Sequence, residues 1–142
     1  MRKYVLKFEN GTDIPIISMK LSNGKRIHAL LDTGSEQTVF DTSVVDNNKD
    51  CFTEHTVQHS LNITGISSTK SFQTVIVATE LETEEGAKKL LFDGIKMPLG
   101  HVTSHFKSII EDCNIAVLIG SNIMSIYNVK IDYTSKTVTF KL

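Results

Sequence analysis

Arg26 to Phe40, R-I-H-A-L-L-D-T-G-S-E-Q-T-V-F, is the stretch on which the reading of the whole chain turns. The apolar residues Ile27, Ala29, Leu30 and Leu31 run directly into Asp32-Thr33-Gly34-Ser35, and apolar character returns at Val39 and Phe40. A carboxylate at the end of such a run sits where a strand leaves the core, so it is partly desolvated and its proton becomes available for chemistry. Gly34 permits a tight backbone turn that brings main-chain N–H groups close to that carboxylate. Asp, Thr and Gly are also ordinary turn formers, so the tripeptide by itself equally describes a plain strand end. What separates the two readings lies elsewhere in the chain.

A length of 142 residues suits one domain, 1–142, with a substantial core and no need of disulfides or metal. The formal net charge of -1 provides no broad field to attract nucleic acid or an acidic membrane, so neither is an expected partner. Apolar runs extend for only a few residues, and Met1-Arg2-Lys3-Tyr4 leads into an alternating strand, so neither a membrane span nor a signal peptide is expected. Cys51 and Cys113 lack any C-x-x-C partner and read as free thiols of a reducing compartment, which makes the expected location cytoplasmic. The sequons at Asn10-Gly11-Thr12 and Asn62-Ile63-Thr64 are then turn and strand chemistry and not glycan sites.

Period-two alternation predicts strands over Tyr4 to Phe8 and Ile14 to Leu21. Asn23-Gly24 predicts a two-residue hairpin turn that pairs Ile14 to Leu21 with Arg26 to Leu31. Gln37 to Phe40 reads as a short strand, Asp41 to Val45 as a brief helical turn, and Asp46 to Asp50 as a mobile polar loop. Thr56 to Ile63 and Lys70 to Thr83 form a long hairpin whose tip is Thr64-Gly65-Ile66-Ser67-Ser68, followed by an acidic turn at Glu82 to Gly86. Strand-like pieces at Leu90 to Phe92 and Phe106 to Ile110 leave the topology of 86–114 open. Ile115 to Ile119 reads as a fully buried strand ending in Gly120, and Ser121 as the cap of a short helix over Asn122 to Tyr127. Val129 to Tyr133 and Thr137 to Leu142 complete a mainly β chain.

Three features occur in one order: D-T-G-S at Asp32 to Ser35, a hairpin tip at Gly65, and the apolar-apolar-Gly element Leu118-Ile119-Gly120. In that order and combination the chain, from about Ile14 to Tyr133, resembles the retropepsin-like aspartic proteases. The resemblance implies a single-lobe acid protease fold with one short helix, closed into a symmetric homodimer. It implies that Asp32, Thr33 and Gly34 form the catalytic turn, with Thr33 hydrogen bonding across the twofold axis. Leu118, Ile119 and Gly120 would thread beside that turn and support it, as Ser35 would through a hydroxyl directed at Asp32. Thr64, Gly65 and Ile66 would form a flap over an extended peptide with apolar residues at the cut. The chain departs from the family in having one glycine at this tip and a longer stretch between hairpin and Ile115. An ordinary exposed hairpin and a core strand ending in glycine remain the plain readings of the last two features.

D-T-G occurs once, whereas this chemistry takes two carboxylates, one acting as base on water and the other donating to the carbonyl. Asp93 and Asp132 lack the Thr-Gly context, so the second carboxylate is expected from Asp32 of a symmetry mate. His101 and His105 are four apart, but Gly100 argues against a helix that would aim both at one metal, and no metal or other cofactor is expected. Ser35 lacks the G-x-S-x-G context, Gly24-Lys25 lacks phosphate-loop spacing, and His28 reads as a packed strand residue. The sequence thus points to an aspartic endopeptidase whose water is activated between two Asp32 carboxylates. The alternative is a catalytically inactive peptide-binding or dimerisation module on the same fold.

Overall fold

Alternating apolar residues carry most of the chain into strands, and the places where alternation breaks set the turns. The structure is a computed structural model that describes residues 1–9, 12–63, 66–100, 102 and 115–142, with the backbone alone over 57–63 and 66–72. The strands are β1 (Lys3–Lys7), β2 (Ile16–Leu21), β3 (Arg26–Leu31), β4 (Val39–Asp41), β5 (Phe52–Ile63), β6 (Ile66–Thr83), β7 (Gly86–Met97), β8 (Ile115–Ile119), β9 (Lys130–Asp132) and β10 (Thr137–Lys141). Among the described residues two short α-helices accompany them, α1 (Thr42–Asp46), where a brief helical turn was expected, and α2 (Ser121–Ile126).

One sheet runs β2-β3-β8-β4-β7-β6-β5, and β6 returns to β2 through Met19↔Leu81 and Leu21↔Thr79, so the sheet closes on itself. A second sheet is ordered β1-β10-β9. The stretch left open by the sequence is largely resolved by β7, antiparallel to β6 from Thr83↔Gly86 to Thr74↔Ile95 and parallel to β4 beyond it. Phe106 to Ile110, His101, His105 and Cys113 lie outside the described residues.

The β2–β3 hairpin forms as expected, but its loop has three residues. Gly24 N–H donates to the Leu21 carbonyl and Leu21 N–H to the Lys25 carbonyl, both at 2.9 Å, and only Gly24 takes a positive φ, +85°. The Asn23 side chain accepts the Lys25 N–H at 3.0 Å, a local bond that holds Asn23 in a turn with ordinary φ, and Gly24 supplies the left-handed residue after it. The Asp46 to Asp50 loop, expected to be mobile, is anchored. Asn48 is buried and donates to the Val44 carbonyl at 2.8 Å, while its own side-chain oxygen accepts from Asn23. Lys96 bonds Asp46 and Glu54, and these two carboxylates, Asp46 foremost, hold its amine above the ordinary 10.5.

Alternation divides the apolar residues between two faces. Ile17, Met19, Ile27, Ala29, Leu31, Phe40, Val75, Phe92, Val117, Ile119 and Phe140 belong to the main core inside the closed sheet. Ile16 and Ile115, with half-buried Ile14, Leu30, Val102 and Leu118, lie in a second cluster. Val39, Ile95 and Leu99 extend it, again against Leu118. Where β7 runs past β4, α2 covers its edge: Asn122 donates to the Asp93 carbonyl at 3.4 Å and the Tyr127 hydroxyl to the Leu91 carbonyl at 2.8 Å. Burial pushes that hydroxyl above its ordinary 10.

Candidate active site

Asp32 follows β3 directly, and its N–H donates to the Ile119 carbonyl at 2.9 Å, continuing the parallel pairing Leu31↔Ile119. The carboxylate is half-buried, and the alternation of β3 carries it onto the same face as Leu30. Gly34 N–H donates to its Oδ1 at 3.1 Å, and Ser35 N–H closes the turn on the Asp32 carbonyl at 3.2 Å. Gly34 does not take a left-handed φ, and a methyl there would stand in ordinary contact, 3.4 Å, with Asp32 Oδ1. Thr33 and Gly34 are exposed.

The expected Ser35 hydroxyl bond to Asp32 is absent. That hydroxyl donates to the Gln37 carbonyl at 2.7 Å, because the chain turns back on itself within two residues and brings an otherwise orphaned backbone acceptor closer than the carboxylate. Ser35 therefore acts on the loop and not on the charge of Asp32.

The loop is held by β8 and α2. Gly120, Ser121 and Asn122 run alongside residues 35 to 38: Ser121 N–H donates to the Ser35 carbonyl at 2.8 Å and Asn122 N–H to the Glu36 carbonyl at 3.2 Å. These bonds satisfy helix N-terminal donors that have no partner within the helix. The expected Ser121 cap is accordingly replaced: α2 begins at Ser121 itself, with Gly120 in the capping position and no side-chain cap. A Cβ on Gly120 would stand 2.4 Å from the Gln37 carbonyl oxygen, so glycine is required by close approach and not by its φ of -94°.

Thr38 completes the clamp and was not singled out from the sequence. It is fully buried (0% exposed); its hydroxyl accepts the Gly120 N–H at 3.0 Å and donates to Asn122 Oδ1 at 2.8 Å, while its carbonyl accepts the Ile95 N–H at 2.9 Å. Its signal in the sequence is a hydroxyl set immediately before the apolar pair Val39-Phe40, a polar group that must find buried partners. Asn122 carried no comparable signal.

Other carboxylates are committed elsewhere. Asp132 Oδ1 accepts the Thr134 and Ser135 N–H groups at 2.9 and 3.2 Å, and buried Asp41 accepts from Leu99 N–H and the Ser43 hydroxyl. The β5–β6 hairpin stays paired from Phe52↔Val77 to Ile63↔Ile66, so β5 ends at Ile63 as expected while β6 begins at Ile66, ahead of the expected Lys70. The tip residues Thr64 and Gly65 lie outside the described ones; Ile66 opens β6. A concavity of about 380 Å³ lies along the β2–β6 seam, between Lys20, Leu21, Thr79, Glu80 and Lys89. Asp32 does not line it, and its Lys20 is spent on Glu82 at 2.8 Å. Among the described residues no group of His, Cys, Asp and Glu could hold a metal ion, and no helix is long and apolar enough to cross a membrane.

The chain is similar to a solved structure, the retroviral protease-like domain of Ddi1 from Leishmania major, with a TM-score of 0.51 at 9% sequence identity, over 91% of this chain and 92% of that one. At that identity the likeness is one of fold, and it supports the retropepsin-like architecture expected from D-T-G-S, the hairpin and Leu118-Ile119-Gly120. No family model and no curated protein sequence matches the chain.

Proposed function

We propose that the chain is a cytoplasmic aspartic endopeptidase that works as a homodimer. The observation that carries this reading is the half-buried Asp32 carboxylate on a loop tied to β8 and α2 by backbone bonds, on the face where Leu30 and Leu118 present apolar surface. A protease-like fold is the coarser part of the reading, supported by the structural neighbour. Two such carboxylates sharing one proton divide the labour: the ionised one takes a proton from water as the water attacks, and the protonated one donates to the peptide carbonyl oxygen. Gly34 N–H, bonded to Asp32 Oδ1, holds the carboxylate in place, and the exposed Thr33 is available to bond across the twofold axis. The apolar surface of Leu30, Leu118 and Ile14 suits an extended peptide with apolar residues at the cut, and the β5–β6 hairpin would close over it as a lid, excluding water. No metal or organic cofactor enters the reaction.

The test is a peptide-library cleavage assay on the wild type and Asp32→Asn. Loss of cleavage in a variant that keeps its circular dichroism spectrum is the expected result, and unchanged turnover would remove Asp32 from the chemistry. A wild type that binds apolar peptides without cutting any of them would favour the inactive binding module.

A further inference from the structure

Strand register sets a row of apolar side chains across β3, β8, β4 and β7, on the face that carries Asp32. Leu30 lies opposite Leu118, Leu118 opposite Val39, and Val39 opposite Ile95. Directly paired residues point to the same face, so the row begins beside Asp32 and ends three strand spacings, roughly 14 Å, away from it. Two residues beyond β7 close its far end. Leu99, 4% exposed, packs with Val39 and Ile95. Half-buried Val102, whose N–H donates to the Leu99 carbonyl at 3.0 Å, packs on that group and on the group of Ile16 and Ile115.

A carboxylate holds this end. Asp41 stands at the capping position of α1, where an aspartate ordinarily accepts a helix N–H, yet its side chain makes no capping bond. Its Oδ1 accepts the Leu99 N–H at 2.8 Å and its Oδ2 the Ser43 hydroxyl at 2.5 Å. Pro98 has no N–H, so Leu99 brings the first donor after β7, and Asp41, opposite Met97 in the β4–β7 pairing, is placed to take it. A buried carboxylate that leaves its own helix uncapped in order to hold Leu99 serves the position of Leu99. We infer that Asp41 is a positioning residue of the site: through the Leu99 N–H it fixes the far end of the apolar row and so limits the size of the apolar side chain that the row accepts. The inference rests on the reading of the Asp32 face as a peptide site. Loss of the carboxylate frees Leu99 and Val102 to retreat, and the row lengthens. Asparagine keeps an acceptor oxygen for Leu99 and turns an amide toward the Ser43 hydroxyl, which can accept it, so it should preserve the end.

The experiment compares the full-length wild type, Asp41→Ala and Asp41→Asn on two apolar peptides that differ only in valine or phenylalanine at the cut. Cleavage gives kcat and KM separately, and fluorescence anisotropy gives binding of the same labelled peptides on the Asp32→Asn background. In Asp41→Ala the ratio of kcat/KM for the phenylalanine peptide over the valine peptide should rise at least about fivefold, carried by KM and not by kcat. Asp41→Asn should keep the wild-type ratio. A merely structural role would weaken both peptides alike and leave the ratio in place. An unchanged ratio in a folded Asp41→Ala that cleaves would overturn the inference while the protease reading stood. Binding without cutting, with the preference shifted toward phenylalanine in Asp41→Ala, would uphold the inference and sink the protease. Binding without cutting and without that shift, or no binding at all, would overturn both. If Asp41→Ala does not fold, Val102→Ala decides: it shortens the same end without touching the Asp41 bonds, and an unshifted ratio there would overturn the inference.

Discussion

Thr38→Val probes the strut beneath the candidate active site. Valine nearly matches threonine in volume, so the cavity term is small and the loss is one of hydrogen bonds at a side chain that is 0% exposed. The Gly120 N–H, 3.0 Å from the hydroxyl, is left buried without an acceptor, at a cost of about 1–3 kcal/mol, and the bond to Asn122 contributes roughly 1 kcal/mol more. The sum, about 2–4 kcal/mol, is a large share of the ~5–15 kcal/mol that holds a domain together. Urea unfolding reads it by far-ultraviolet circular dichroism, since the chain has no tryptophan. With a slope of about 2 kcal/mol per molar, the midpoint should drop by roughly 1–2 M without a change in slope. Thr38→Ser keeps the hydroxyl and loses one methyl, about 1 kcal/mol, so it should lie between the two. A valine variant as stable as the serine variant would refute the reasoning, because the Gly120 N–H would then have another partner.

Gly120→Ala should destabilise by about 1–3 kcal/mol or more, because the new methyl meets backbone oxygens of Gln37 and Ser35 at 2.4 and 2.9 Å; calorimetry should show a lower melting temperature, and an unchanged one would mean that the loop yields freely. Ser35→Ala should cost about 1 kcal/mol and leave the acid limb of the pH–rate profile in place, since the hydroxyl bonds Gln37; an upward move would return Ser35 to the chemistry of Asp32. Glu82 is held below its ordinary 4.5 by the Lys20 hydrogen bond and the Arg26 charge. Its contribution is therefore present above pH 4.5 and lost as pH falls through the folded value, so Glu82→Gln should flatten the acid side of the stability profile by a few tenths of a kcal/mol, read by urea midpoints at pH 3 and 7.

The strands were legible wherever alternation was regular, as in Ile27, Ala29 and Leu31, and so was the pairing of β2 with β3, announced by Gly24. The Asn23-Gly24 loop was misjudged by one residue because the Asn23 side chain bonds locally, a choice that the dipeptide alone does not reveal. β7 was obscure because Lys88, Lys89, Asp93 and Gly94 break its apolar pattern, and Gly94 is there for a close approach: a Cβ would meet the Thr38 carbonyl oxygen at 2.4 Å. The turn at Asp32 to Ser35 could be read from its residue types. The direction of the Ser35 hydroxyl and the partnership of Thr38 with Asn122 could not, since both depend on segments far apart in the chain meeting at one point.

The framework around the Asp32 loop scarcely passes through Asp32's own side chain. The side chains of Thr38 and Asn122, with the Gly120 N–H that the Thr38 hydroxyl accepts, carry the side-chain part of the clamp, and the carboxylate adds a single bond from Gly34 N–H. Loss of that carboxylate by mutation would therefore leave the scaffold nearly as stable as before, and folding alone would not select against it. Lineages built on this clamp could lose and regain the carboxylate by substitutions at one position, with the fold intact throughout. Persistence of the aspartate in such a lineage would record demand for the carboxylate itself, whereas persistence of the threonine and glycine would record only demand for the fold.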